Sequence, residues 1–298
     1  MSAPSSTTAP RAFGTTDLLL VLMATIWGVN FSVMKYATRM MEPLAFNGVR
    51  LVVGTAALMG LAWWRRETRP SVADQRRLMA LGVIGHCIYQ LLFVTGLSLT
   101  RAGNASLMIA ASPAFIGIAG RIAGIERLAA KQVIGIACSI LGLSLVVLGS
   151  ATGHVGDTDI RGDLLVLTAC VAWAAYTVLL KPMTHRIESV HVAAYTLLGG
   201  TIPLALIASP AIARAAWTSL PLSVYGALAY SGIVALVLAY LFWYRGVRVL
   251  GPTRTAMYAN LQPVIAMVVA WLVLAEVPTA WQVTGGAAVI GGLLLSRR

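Results

Sequence analysis

Charge is scarce in this sequence, and acid is the scarcer sign. Of 298 residues 11% are charged, against roughly 25% in soluble domains, and ten Asp or Glu stand beside 22 Lys or Arg. With 58% hydrophobic residues and a mean hydropathy of +0.82, a soluble globular chain is excluded and a polytopic membrane protein is expected. Cysteine is also sparse. Cys87, Cys138 and Cys170 are dispersed through apolar stretches, an odd set with no CxxC or Cys/His spacing, so neither a disulfide framework nor a metal site is expected. Walker A, HExxH and GxSxG patterns are absent, which leaves no nucleotide-driven, zinc-hydrolase or acyl-transfer machinery. The expectation is a protein that is not an enzyme and carries no cofactor. The net charge of +12 suits basic cytoplasmic loops rather than nucleic acid. Residues 1–16 are polar, rich in Pro, Ser and Thr, and lack a basic cleavable leader pattern, so they read as a flexible tail before a retained first span.

What the chain does have, it writes twice. Gly96–Leu143 returns without a gap 150 positions later as Gly246–Leu293, with Gly96, Pro113, Glu126, Gln132, Gly135 and Gly142 meeting Gly246, Pro263, Glu276, Gln282, Gly285 and Gly292. Nearer each start, Asp17, Trp27 and Lys35 meet Asp163, Trp173 and Lys181 at an offset of 146. A repeat of this length decides architecture before any single motif does.

Ten apolar stretches, each near the ~20 residues that cross a bilayer as helix, fall at 17–36, 45–64, 77–97, 102–121, 131–149, 163–181, 190–208, 221–243, 254–274 and 279–296. Helix is required because an open strand edge in lipid leaves backbone groups unpaired. The predicted fold is therefore an all-α polytopic membrane protein of ten transmembrane helices. It divides into a tail (1–16), a first five-helix repeat (17–149), a linking loop (150–162) and a second repeat (163–298). Five is odd, so the copies enter the membrane from opposite sides, the inverted-topology plan of many secondary transporters. With the N-terminus inside, sixteen of the 22 Lys and Arg fall on the cytoplasmic side and five outside, with Arg50 ambiguous within the second span. Both termini are expected to be cytoplasmic.

Polar and aromatic residues at helical spacing mark candidate solute-binding faces: Trp27 and Asn30; His86, Tyr89 and Gln90; Asn104 and Met108; Trp173 and Tyr176; Tyr240 and Trp243; Tyr258 and Gln262. Polar groups are costly against lipid and should look into a cavity or another helix. Interhelical packing is the plainer alternative for any one of them. Pro113 and Pro263 interrupt the fourth and ninth spans, freeing the carbonyls of Ile109 and Ala259, and are candidate hinges. The fifth and tenth spans carry glycines and almost no polar groups, and should pack as scaffold. Every acid lies at a span end or in a loop, and His86 is the one titratable group other than Cys or Tyr well inside a span. A carboxylate relay is therefore not expected, and uncoupled transport is preferred to proton handling by His86. Glu126 and Glu276, just before the fifth and tenth spans, suit capping of those helix N-termini.

WGVNFSVMKYA (27–37) followed by NGVRLVVGTAAL (47–58), together with the doubled stretch 97–147 and its proline–glutamate pair, resembles the EamA family of the drug/metabolite transporter superfamily. The resemblance implies a ten-helix alternating-access carrier in the bacterial inner membrane, with a cavity lined by helices 1, 3, 4, 6, 8 and 9. It further implies export of amino acids, aromatic ones included, and similar small metabolites. Small solutes and the lipid bilayer are the expected partners. Without a buried charge pair to clamp a zwitterion, selectivity is expected to be broad. Proton-coupled drug efflux, phosphate-ester or nucleotide-sugar exchange, and a membrane sensor or scaffold are the alternatives. The exchanger reading would want basic residues deep in the cavity.

Overall fold

The computed structural model describes residues 14–65, 68–124, 130–152, 159–250, 255, 258–259 and 261–295. Among them the chain forms helices and no strand. In chain order they are α1 (Thr15–Met40), α2 (Pro43–Trp64), α3 (Val72–Leu99), α4 (Ala102–Ile122), α5 (Ala130–Thr152), α6 (Ile160–Thr184), α7 (Ser189–Arg214), α8 (Leu222–Leu250), α9 (Gln262–Leu274) and α10 (Ala280–Leu295). Seven, α1–α4 and α6–α8, are long and apolar enough to cross a membrane, while α5 and α9 contain shorter apolar segments.

Several helices outrun the apolar stretches that announce them. α1 continues to Met40, α7 to Arg214 and α8 to Leu250, because Arg39, Arg214, Arg245 and Arg248 extend the helix past the apolar run. A helix satisfies its own backbone in water as well as in lipid, and long basic side chains reach the interface from its last turns. α3 starts earlier than expected because Ser71 caps it, accepting from the Asp74 N–H at 3.2 Å.

Three spans are not plain α-helix. In α3 the segment Val83–Ile88, and in α8 the segment Tyr230–Leu238, are π-helical. α4 breaks at Ala111 (φ −82°, ψ 0°) and resumes with Pro113 in its first turn. Pro263 likewise sits in the first turn of α9. Both candidate hinge prolines therefore begin a helical segment, where a missing N–H costs little, instead of kinking one.

Close backbone approach through glycine holds the bundle together. A Cβ on Gly142 of α5 would lie 2.6 Å from the Gly285 carbonyl oxygen of α10, and one on Gly292 would lie 2.5 Å from that of Gly135. α3 and α7 meet in the same way: a Cβ on Gly82 would fall 1.9 Å from the Thr196 oxygen, and one on Gly199 2.1 Å from the Met79 oxygen. The outer surface carries apolar side chains such as Ile122, Leu141, Leu206 and Leu272, which suits a bundle whose solvent is hydrocarbon.

Glu276 corrects one expectation. It does not cap α10; its Oε2 accepts the Ala102 N–H at 3.0 Å, capping α4 instead. α10 has its own capping box, in which Thr279 Oγ1 accepts from the Gln282 N–H (3.2 Å) and Gln282 Oε1 accepts from the Thr279 N–H (2.9 Å). Glu126 lies outside the described residues. Burial is the main influence on the Glu276 carboxyl and raises it above the ordinary 4.5, opposed by Arg101, Lys35, the Ala102 N–H and Arg39. A raised carboxyl pKa favours the neutral form in the fold. Its contribution to stability is present in full below about 4.5 and is lost as pH rises through the shifted value. Glu276→Gln keeps an acceptor for Ala102 without ionising, so its stability relative to wild type should increase between pH 4.5 and neutrality. Thermal unfolding across that range checks the sign. Glu276→Ala removes the cap and should cost about 0.5–2 kcal/mol.

Candidate functional site

Seven helices, α1–α4, α6, α8 and α9, together with Ala259 just before α9, meet around a cavity of about 100 Å³. Trp27, Asn30 and Phe31 reach it from α1, Tyr89, Gln90 and Phe93 from α3, and Ile109, Ser112, Pro113 and Ile116 from α4. Trp173 comes from α6, Leu236, Tyr240 and Trp243 from α8, and Ala259 and Gln262 from the ninth-span region. Arg50 arrives from α2, a helix the resemblance did not count among the cavity-lining ones.

The wall is aromatic and interlocked. Tyr89 lies 5.1 Å from Trp173 and stacks on Phe93 at 5.5 Å, while Trp27 meets Tyr240 edge-on at 5.4 Å and Trp243 at 5.7 Å. Such contacts combine apolar area with fixed geometry. The π-helical segment of α8 serves the wall as well. The Trp27 indole N–H donates to the Ala235 carbonyl (3.0 Å), the Tyr230 hydroxyl donates to the Ile26 carbonyl (3.0 Å), and Ser231 Oγ donates to Asn30 Oδ1 (2.6 Å). A widened turn redirects carbonyls and side chains across to α1.

Arg50 is the residue that the charge distribution left ambiguous. Its position, about 10 Å into α2 from the helix start, is 2% exposed. Its Nε donates to Asn47 Oδ1 (3.0 Å) and its Nη2 to Gln90 Oε1 (2.5 Å), and Asn47 Nδ2 in turn donates to the Gln90 carbonyl (3.0 Å). Among the described residues no carboxylate pairs with it. Arg50, left ambiguous within the second span, is thus a buried cation at a cavity expected to hold few charges. The signal was present in Asn47 and Arg50, polar residues one turn apart on one face of an apolar helix.

The other sequence candidates divide into two groups. Trp27, Asn30, Tyr89, Gln90, Trp173, Tyr240, Trp243, Gln262 and Pro113 come together at the cavity. His86, Tyr176, Asn104, Met108, Tyr258 and Pro263 do not line it. His86 stands behind the wall with its ring 5.4 Å from both Tyr176 and Tyr240, and the Tyr176 and Tyr244 hydroxyls share a 2.8 Å hydrogen bond. Asn104 accepts from Gln282 Nε2 (2.7 Å) and so ties α4 to the α10 capping box. Met108 is fully buried, and its carbonyl accepts from the Cys170 thiol at 3.5 Å. The Tyr258 hydroxyl donates to Asp17 Oδ1 (2.5 Å). Asn104, Tyr176 and Tyr258 thus each hydrogen-bond to a neighbouring helix. No group of three or more His, Cys, Asp or Glu among the described residues has metal-binding proximity.

Known proteins resemble the chain over nearly its whole length. A probable terminal-alkyne amino-acid exporter of Streptantibioticus cattleyicolor is 29% identical over 94% of this chain and 92% of its own. A probable amino-acid metabolite efflux pump of Salmonella typhimurium is 27% identical over 93% of each chain. The uncharacterized transporter YyaM of Bacillus subtilis is 26% identical over 93% of this chain and 92% of its own. A solved crystal structure, 20% identical, superposes with a TM-score of 0.66 over 96% of this chain and 99% of that one, and shares the fold. The EamA-like transporter family matches residues 14–148 and 160–298. The chain belongs to that family.

Proposed function

We propose that this transporter exports amino acids, aromatic ones included, and similar small metabolites across a bacterial inner membrane. The observation that carries the reading is the aromatic-walled cavity at which helices from both halves of the chain meet. The names of two relatives, an amino-acid exporter and an amino-acid metabolite efflux pump, favour the same solute class.

Alternating access by two inverted copies, 17–149 and 163–298, has its support in contacts that pair repeat-equivalent residues. The 150-residue offset carries the Gly142–Gly285 contact onto Gly292–Gly135, and both approaches are close, at 2.6 and 2.5 Å. The 146-residue offset carries Thr55 onto Thr201, and their hydroxyls bond to each other at 2.7 Å. Shifting the π-helical segment Val83–Ile88 by 150 lands inside Tyr230–Leu238. Mutual contact between equivalent residues is what a two-fold axis in the membrane plane produces. Rocking of the copies about the cavity would expose it to each side in turn. The distribution of Lys and Arg supports cytoplasmic termini.

Transport is read as uncoupled. The described carboxylates all lie at helix ends or in loops, and His86 is enclosed behind Trp173, Tyr176 and Tyr240. Uptake of labelled aromatic and aliphatic amino acids into proteoliposomes, with and without an imposed pH gradient, tests this. Equal initial rates are expected. A requirement for the gradient would overturn the uncoupled reading and make His86 the first residue to replace.

A further inference from the structure

We propose that Arg50 is the carboxylate-binding residue of the cavity, and that the solutes preferred there are small carboxylates bearing an apolar or aromatic group. This rests on the reading of the cavity as the transported solute's site.

A guanidinium has five N–H donors and no acceptor. Asn47 and Gln90 engage Nε and Nη2, which leaves the Nη1 amino group without a hydrogen bond among the described residues. Asn47 also ties itself to the Gln90 backbone (3.0 Å), so the two neutral amides hold the guanidinium in place without neutralising it. A neutral scaffold around a buried charge is the opposite of a structural ion pair. A cation withdrawn from water needs a counter-charge, and the described lining residues offer no acid. The anion has to arrive with the solute. A carboxylate fits a guanidinium edge through parallel, charge-assisted hydrogen bonds. The faces of Tyr89, Trp173, Trp27 and Tyr240 then receive the apolar remainder of the solute. Phosphate monoesters, which carry up to two negative charges, are disfavoured because the lining contains one cation and no metal-binding cluster among the described residues.

The test is equilibrium binding to the purified full chain, followed by tryptophan fluorescence, since Trp27, Trp173 and Trp243 line the cavity. Four probes separate the groups: L-phenylalanine, 3-phenylpropionate (carboxylate without ammonium), phenethylamine (ammonium without carboxylate) and phenyl phosphate. The two carboxylates should bind within about tenfold of each other, and phenethylamine and phenyl phosphate more weakly by roughly tenfold to a hundredfold. Arg50→Gln should remove that preference, with Arg50→Lys retaining part of it. Asn47→Ala, which leaves the charge but frees its head, should weaken carboxylate binding and spare phenethylamine. The ligand series on wild type stands even where Arg50→Gln fails to fold. Equal binding of amine and carboxylate, preference for phenyl phosphate, no carboxylate binding, or undiminished preference in a folded Arg50→Gln protein would each overturn the assignment. Arg50-dependent binding of 3-phenylpropionate without flux of any amino acid would instead sink the export reading and leave the assignment of Arg50 standing.

Discussion

Gly82→Ala is expected to destabilise the protein by about 1–3 kcal/mol or beyond. The added carbon would sit 1.9 Å from the Thr196 carbonyl oxygen, and its next neighbours are the carbonyl carbon and Cα of the same residue. These are backbone atoms of α7 and cannot rotate away as a side chain would. Relief requires α3 and α7 to separate, and Gly199 and Gly200 make similarly close approaches from α7 to Met79, Gly82 and His86. Gly60 supplies the control. A Cβ there meets nothing within 4 Å, so Gly60→Ala should be neutral or stabilise by up to about 1 kcal/mol through helix propensity. Thermal unfolding of the two variants in one detergent decides the matter. A Gly82→Ala protein as stable as Gly60→Ala would mean that α3 and α7 do not pack as described.

Trp173→Ala should lower transport by more than tenfold in protein that still folds. The indole touches Tyr89 at 5.1 Å, Tyr176 at 5.2 Å, Tyr240 at 6.3 Å and His86 at 6.5 Å, so it joins the cavity wall to the buried cluster behind it. Aromatic pairs of this kind are worth about 0.5–1.5 kcal/mol each beyond area burial. Loss of two or three of them, with a void at the solute's face, accounts for the expected drop. Trp173→Phe keeps a ring in place and should stay within several-fold of wild type. Initial rates normalised to reconstituted protein check both. A Trp173→Ala protein with wild-type rates would place the solute path elsewhere.

The helices were legible in the sequence because lipid leaves the backbone one economical solution, and runs of apolar residues near the bilayer's thickness announce it. Their ends were less so. Arg39, Arg214 and Arg248 look like loop residues by composition, yet each continues a helix. The π-helical segments were not legible: VIGHCI in α3 and YSGIVALVL in α8 are as apolar as their neighbours, and nothing local marks a widened turn. For the cavity, helical spacing located the faces bearing Tyr89, Gln90, Trp173 and Tyr240, but spacing alone does not tell a cavity-facing side chain from one facing another helix. His86 and Tyr176 share those faces and lie behind the wall, and Asn104 turns to Gln282. Arg50 was hidden for a different reason. Set aside as ambiguous in the positive-inside balance, it was not given the significance that any ionisable residue within a span carries.

Counterflow tests the central claim, that the cavity belongs to a carrier of amino acids, most directly. Proteoliposomes preloaded with unlabelled L-phenylalanine and diluted into a trace of the labelled compound should accumulate label transiently above equilibrium, because inward passage on a carrier is tied to outward exit of the internal pool. A monotonic approach to equilibrium would point to a channel, and label no greater than in empty liposomes would contradict amino-acid transport altogether.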